Sequence, residues 1–372
     1  VIGAIFWWSR MQGTEQMPKG VTWSQEFNAV TSLAAAASGM VASVVIATKP
    51  YLVGLDVEGR LLWRKEVPDR ALLVAGDRAV FAAVEHRIMI IDTAGGSVGA
   101  TREVDPPLGG WAKATTLSIG ADLLVADAQG LQCLRASSLE TLWKLTPALD
   151  EANDSLQQLT YEPPWIAAVS NHTVMVISER GELIWKRRLP ADTRVAGDHP
   201  LVLTDHRLWV GLVKESEPSV RYIYELAASD GTPKSETSID DLAMYCPAHV
   251  SRGVLVLDTQ RGLTGFDIKN GLKRLWSIET PIAMGTCIAQ DEHLLVATRD
   301  GELLRVAFAD GGNETLIRLP REQAWVPPAP DLPPGVHSES KGAIEHLVSL
   351  PGGTAFSVVW SSDQAAIQFH PW

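Results

Sequence analysis

Short runs of β-branched and aliphatic residues, separated by glycine-bearing turns, recur from one end of this chain to the other. Tyr51-Leu-Val-Gly-Leu-Asp56 leads into Glu58-Gly59, and Thr173-Val-Met-Val-Ile-Ser178 leads into Arg180-Gly181. Runs such as Val254-Leu-Val-Leu-Asp258 and His293-Leu-Leu-Val-Ala-Thr298 come before them in their own segments. Period-two patterning with Asn-Gly, Arg-Gly and Gly-Gly turns predicts antiparallel meanders. No stretch carries a sustained helical period. The longest apolar run, Val30 to Ile46, is rich in Ala and Ser and broken at Ser38-Gly39, so it reads as two strands and not as a spanning helix.

The meanders repeat. A tryptophan opens a strand that ends near a proline in Leu61-Leu-Trp63-Arg-Lys-Glu-Val-Pro68, Thr141-Leu-Trp143-Lys-Leu-Thr-Pro147, Leu183-Ile-Trp185-Lys-Arg-Arg-Leu-Pro190 and Arg274-Leu-Trp276-Ser-Ile-Glu-Thr-Pro281. Ala100, Ser235 and Thr315 take the tryptophan position in weaker copies, and Trp23 marks one more near the start. The positions step by 40, 37, 43, 42, 50, 41 and 39 residues. A period of about 42 belongs to four-stranded propeller blades. One such meander cannot bury both of its faces, so neighbouring sheets must stack radially.

The two ends fix the blade count. Ile344–Leu350, Thr354–Ser361 and Ala365–Trp372 supply three strands without a fourth, and Val21–Phe27 supplies a spare fourth strand without the other three. Pairing them removes two open sheet edges at once. The expectation is an all-β, eight-bladed β-propeller over residues 21–372, closed by a composite blade. A seven-bladed ring with a loose tail is the alternative.

The segment Leu255-Val-Leu-Asp-Thr-Gln-Arg-Gly-Leu-Thr-Gly-Phe-Asp-Ile-Lys-Asn-Gly-Leu-Lys-Arg-Leu-Trp276 resembles the pyrroloquinoline-quinone-type repeat, whose core is Ala-x-Asp-x-x-Thr-Gly-x-x-x-Trp. Gly265 stands for the Ala, Asn270 for the Thr, and one residue is inserted. The blade ending at Trp63 is a second match. In size and blade count the chain resembles the eight-bladed BamB-like envelope scaffold proteins, although it has no lipobox cysteine. The quinoprotein dehydrogenases that share this repeat hold their cofactor with calcium and two adjacent cysteines. Cys133, Cys246 and Cys287 are far apart here, so no cofactor is expected.

Charge narrows the partners. Among 372 residues, 44 acidic against 32 basic residues give a net charge of −12, which makes nucleic acid a poor partner. Gly95-Gly-Ser97-Val-Gly99 satisfies the hydrolase pattern GxSxG, but it lies between two antiparallel strands and not at a strand-to-helix elbow. The nine histidines are scattered, and His199 with His206 lacks zinc-site spacing. No phosphate-binding glycine loop occurs. Neither catalytic nor metal-binding residues are assigned.

Loop length carries the functional expectation. In a blade with strands A to D, the A–B and C–D turns share one face of the disc, and the B–C and D–A connections share the other. The long excursions all fall in the second class: Asp105–Ala114 with Trp111, Thr146–Leu156 with Asp150, Glu151 and Asp154, Lys214–Val220, and Arg321–Gly342 with Trp325, Pro327 and Pro328. Loops on a rigid scaffold concentrate binding residues, and aromatic side chains are typical anchors. Those seven residues are the expected partner-binding set. A weak calcium site on the acidic 150–154 loop is the less favoured alternative there.

Residues 1–20 read differently. Val1-Ile-Gly-Ala-Ile-Phe-Trp7-Trp8 is too short to span a bilayer alone, but paired indoles followed by Arg10 suit the interfacial end of a membrane anchor. The expectation is therefore a non-enzymatic scaffold, tethered to a membrane outside the cytoplasm (bacterial periplasm), that binds proteins of an envelope complex. The alternative is a quinoprotein-like enzyme or small-ligand sensor using the central channel.

Overall fold

A computed structural model of the chain describes residues 21–36, 39–76, 79–105, 116–119, 122–127, 130–146, 155–196, 201–239, 241–243, 247–280, 282–319, 343–350, 352–361 and 364–371. These residues form eight antiparallel sheets, and the sequence repeat maps onto them blade by blade. Blade 1 covers residues 29–66, blade 2 72–103, blade 3 116–145, blade 4 158–188, blade 5 193–238, blade 6 249–279 and blade 7 282–318. Blade 8 takes its first three strands from residues 343–371 and its outer strand from Trp23–Phe27. The only helical element among the described residues is a 3-10 turn, Ile268–Asn270. The seven-bladed alternative is thereby set aside.

Closure follows the sequence expectation in register. Trp23 pairs with Phe369, Gln25 with Ile367 and Phe27 with Ala365. The Thr22 amide adds a hydrogen bond to the Phe369 carbonyl at 2.9 Å. The apolar Val30–Ile46 run forms the strands Ala29–Ala36 and Gly39–Ile46 of blade 1. Blade 5 departs from the common plan. Its inner strand is broken into Thr193–Val195 and Leu201–Thr204, both paired with Arg207–Lys214.

The core is divided among the blade interfaces. Each of the eight interfaces holds its own cluster of buried side chains. The second strand of blade 3 shows how the sequence supplies them. Leu123 and Val125 pack toward blade 2, while Leu124 and Ala126 pack toward blade 4. Successive side chains of a strand point to opposite faces, so a middle strand buried on both sides must be apolar throughout. Outer strands read differently because they face water on one side: Leu183–Arg188 alternates between exposed and half-buried positions.

Candidate functional site

The turns separate the two faces of the disc. On the A–B and C–D face no connection exceeds six residues, residues 92–97 being the longest. The opposite face holds every connection of ten or more: 104–115, 146–157, 239–248 and 319–342. The sequence picked out three of these four. It missed 239–248, the shortest of the four at ten residues and one without tryptophan. The Lys214–Val220 excursion is short by comparison, with only residues 215–220 between strands. It is pinned by Asp192, which accepts hydrogen bonds from the Ser216 amide (2.9 Å) and hydroxyl. The Ser216 hydroxyl bond is the main cause holding the Asp192 carboxyl below its ordinary range.

The expected partner-binding residues Trp111, Asp150, Glu151, Asp154, Trp325, Pro327 and Pro328 lie outside the described residues, as do Trp7 and Trp8. What is described is the frame that carries them. Leu156 and Ile239 anchor the ends of two of the long connections in the core, and Leu242 is fully buried between blades 5 and 6. An isolated bridge pairs Leu242 with Thr259, so the 239–248 connection is stitched to blade 6.

The rigidity of that frame comes from a contact repeated around the rim. Trp63, Trp143, Trp185 and Trp276 are half-buried, each packed against the apolar cluster of its interface. Their Nε1 groups donate to carbonyl oxygens in the C–D turn of the following blade: Thr93 at 2.8 Å, Glu179 at 2.9 Å, Ala228 at 2.7 Å and Phe308 at 2.9 Å. Each ring also covers a glycine of that turn, Gly96, Gly181, Gly231 and Gly311 in order. An indole contributes apolar area and one directed donor in the same side chain.

Two interfaces whose outer strand lacks tryptophan make the same link by other means. From the outer strand of blade 2, Arg102 Nη1 donates to the Leu139 carbonyl of blade 3 at 2.7 Å. In blade 5, Arg207 Nη1 donates to the Ile268 carbonyl of blade 6 at 3.0 Å and to Glu225 at 3.2 Å. Glu225 also accepts from Ser235, the residue at the tryptophan position. Where the ring is missing, the next turn ends on a buried leucine with positive φ: Leu139 at φ +57°, and Leu272 at φ +57° directly after Gly271. Sequence inspection found the degenerate copies but not their compensation, since arginine and leucine at those places carry no motif.

Two groups in the described residues are held protonated. Burial, with Asp122 adding to it, pushes the Cys133 thiol up to about 12, so it stays protonated. A hydrogen bond to Glu179 does the same for Tyr161, up to about 12. Ser97 lies in the turn between Arg87–Ile91 and Val98–Glu103, a hairpin. Among the described residues no group of three His, Cys, Asp or Glu side chains is placed to hold a metal ion.

The sequence matches no protein-family model and no curated protein. Solved structures share the fold. BamB from Moraxella catarrhalis is similar over 94% of this chain and 98% of its own, with TM-score 0.61 and 12% identity. Saccharomyces cerevisiae Sqt1 is similar over 94% of this chain and 99% of its own, with TM-score 0.61 and 8% identity. The dihydro-heme d1 dehydrogenase NirN, solved in complex with DHE, is similar over 76% of this chain and 64% of its own, with TM-score 0.54 and 14% identity. The resemblance carried by the tryptophan repeat thus holds at the level of fold: this chain is an eight-bladed propeller similar to BamB in architecture and extent.

Proposed function

We propose that this protein is a non-enzymatic scaffold that binds partner proteins through the long connections on one face of the disc. The observation that carries the reading is the asymmetry of the two faces. Every connection of ten or more residues lies on one side of a ring whose blades are interlocked at the rim. A rigid platform with elaborated loops on one side presents binding residues at low entropic cost. Trp111, Trp325 with Pro327 and Pro328, and the acidic Asp150, Glu151 and Asp154 are the proposed contacts.

The same proposal tethers the chain to a membrane through Val1–Trp8, on the extracytoplasmic side, as part of an envelope complex. The outer strand Trp23–Phe27 starts at the short-turn face, so a tether ahead of it favours the long-loop face pointing away from the lipid. Crosslinking in native membranes from photoreactive groups at positions 111 and 325, compared with position 271 on the opposite face, tests the reading. Specific protein adducts from 111 and 325 support it; adducts from 271 alone reject it. The enzyme or ligand-sensor alternative has in its favour the fold shared with a dehydrogenase. A chromophore that copurifies with the chain would favour that alternative.

A further inference from the structure

The interface between blades 5 and 6 holds a cleft of about 440 Å³. Its origin lies in the outer strand of blade 5, Pro233–Ser238. The inward-facing positions there are Ser235 and Thr237, whereas the outer strand of blade 6 turns Trp276 and Ile278 into the next interface. At the isoleucine's place stands the shorter Thr237, which lines the cleft. The volume is within the range of small-molecule sites, roughly 300–1,000 Å³.

The lining is selective. Phe266 and Leu272, both nearly fully buried, give it an apolar floor, and Thr237 offers a hydroxyl. Arg261 and Arg274 bring two guanidinium groups from blade 6. Asp241 answers one of them at 3.7 Å from Arg274 Nη2, an ion pair longer than a hydrogen bond. No carboxylate among the described residues pairs with Arg261. Among the described lining residues, two cations stand against one anion over an apolar floor.

The geometry points to this cleft as a binding site for a monocarboxylate with a compact apolar body, the carboxylate held by Arg261 and Arg274 and the body resting on Phe266 and Leu272. Guanidinium groups bind carboxylates through charge-assisted, often bidentate hydrogen bonds. The ligand is either a free small acid or the carboxyl-terminal residue of a peptide. Ile239 and Asp241 of the 239–248 connection line the cleft, so it borders the long-loop face, but it contains none of the seven contacts proposed for the scaffold, and its fate is separate from theirs.

Calorimetric titration of the full chain with phenylacetate, and with phenylacetamide as the uncharged twin, tests the assignment. The acid should saturate with a Kd on the order of 1 mM or tighter, and the amide should bind at least about tenfold more weakly. Arg261→Gln, a change at an exposed side chain, should weaken the acid about tenfold with an unchanged melting temperature, and Arg261→Lys should restore part of the loss. A peptide ending in phenylalanine with a free carboxylate separates the sources. Tighter binding than phenylacetate assigns the site to a peptide terminus, and weaker binding assigns it to a free acid. Absence of saturation by both acid and peptide, equal binding of acid and amide, or indifference to Arg261→Gln would overturn the site.

Discussion

Trp63 of blade 1 lies so close over Gly96 of blade 2 that a Cβ built on that glycine would stand 2.4 Å from the ring's Cδ2 atom. Gly96 also has φ +67°, a conformation that side-chain-bearing residues adopt at a cost. Close approach and left-handed backbone therefore fall on one residue. Gly271 has nearly the same φ, +65°, but nothing within 4 Å of the corresponding Cβ.

That contrast gives a controlled experiment. Gly271→Ala should cost only the backbone strain, about 1–2 kcal/mol. Gly96→Ala should add the displacement of the indole and cost about 3 kcal/mol or more. Thermal melting of the two variants measures the difference. Equal destabilisation would show that the indole does not rest on the glycine as described.

A double-mutant cycle isolates the contact itself. Trp63→Ala removes a half-buried ring and its hydrogen bond to Thr93, at about 2–4 kcal/mol, toward the low side of the range for a buried tryptophan. In that background Gly96→Ala should fall back to the cost of strain alone. The two changes should thus be non-additive by more than about 1 kcal/mol in denaturant titrations.

Arg207 is expected to behave as the counterpart of the tryptophans. Arg207→Met leaves the Ile268 carbonyl without this donor and leaves Glu225, only 6% exposed, with Ser235 as its remaining polar contact described here. The arginine is partly exposed, so the loss should be about 1–3 kcal/mol, less than for a fully buried pair. Lys65→Met, at an exposed position on an outer strand, is the comparison and should change stability by less than about 0.5 kcal/mol. A melting shift no larger for Arg207→Met than for Lys65→Met would contradict the role given to Arg207.

Removing residues 1–27 should open the ring. The strand Gln364–Pro371 would lose its outer partner while keeping Gly353–Ser361, and a buried apolar face with an unpaired edge would be exposed. The truncated chain should melt well below the full chain and aggregate on concentration, as light scattering would record. A truncation that melts like the parent would mean that the composite blade contributes little to closure.

Cys133 should resist thiol reagents in the folded protein. Its thiol is raised to about 12 in the fold from an ordinary value near 9.0. A raised folded pKa contributes stability that is fully present below about pH 9 and is lost as pH rises through 12. Residue-resolved mass spectrometry after labelling at pH 8 should find Cys133 unmodified in the native chain and modified once the chain is unfolded. Native labelling at a rate like that of a free thiol would show that the interface between blades 3 and 4 opens readily.

The sequence by itself determined the architecture of this protein. Trp63, Trp143, Trp185 and Trp276 recur at the blade period, and that spacing reports the fourth strand of each sheet. Ile344–Leu350, Thr354–Ser361 and Ala365–Trp372 lacked a fourth strand while Val21–Phe27 lacked three, which was enough to foresee the closure seen between Trp23 and Phe369. The face bearing the long connections also followed from strand polarity alone. Such features are local or periodic, and a chain displays them without being folded. Only the tertiary structure decided what those side chains touch. The indole of Trp63 meets Thr93 and Gly96, the guanidinium of Arg207 replaces an indole at Ile268, and Leu272 follows Gly271 as a buried leucine with positive φ. Arg261 and Arg274 come to share a cleft with Thr237 where blade 6 docks on blade 5. Period-two patterning tells which face of a strand is buried, but not which neighbour covers it, because that depends on contacts formed only when one blade docks against the next.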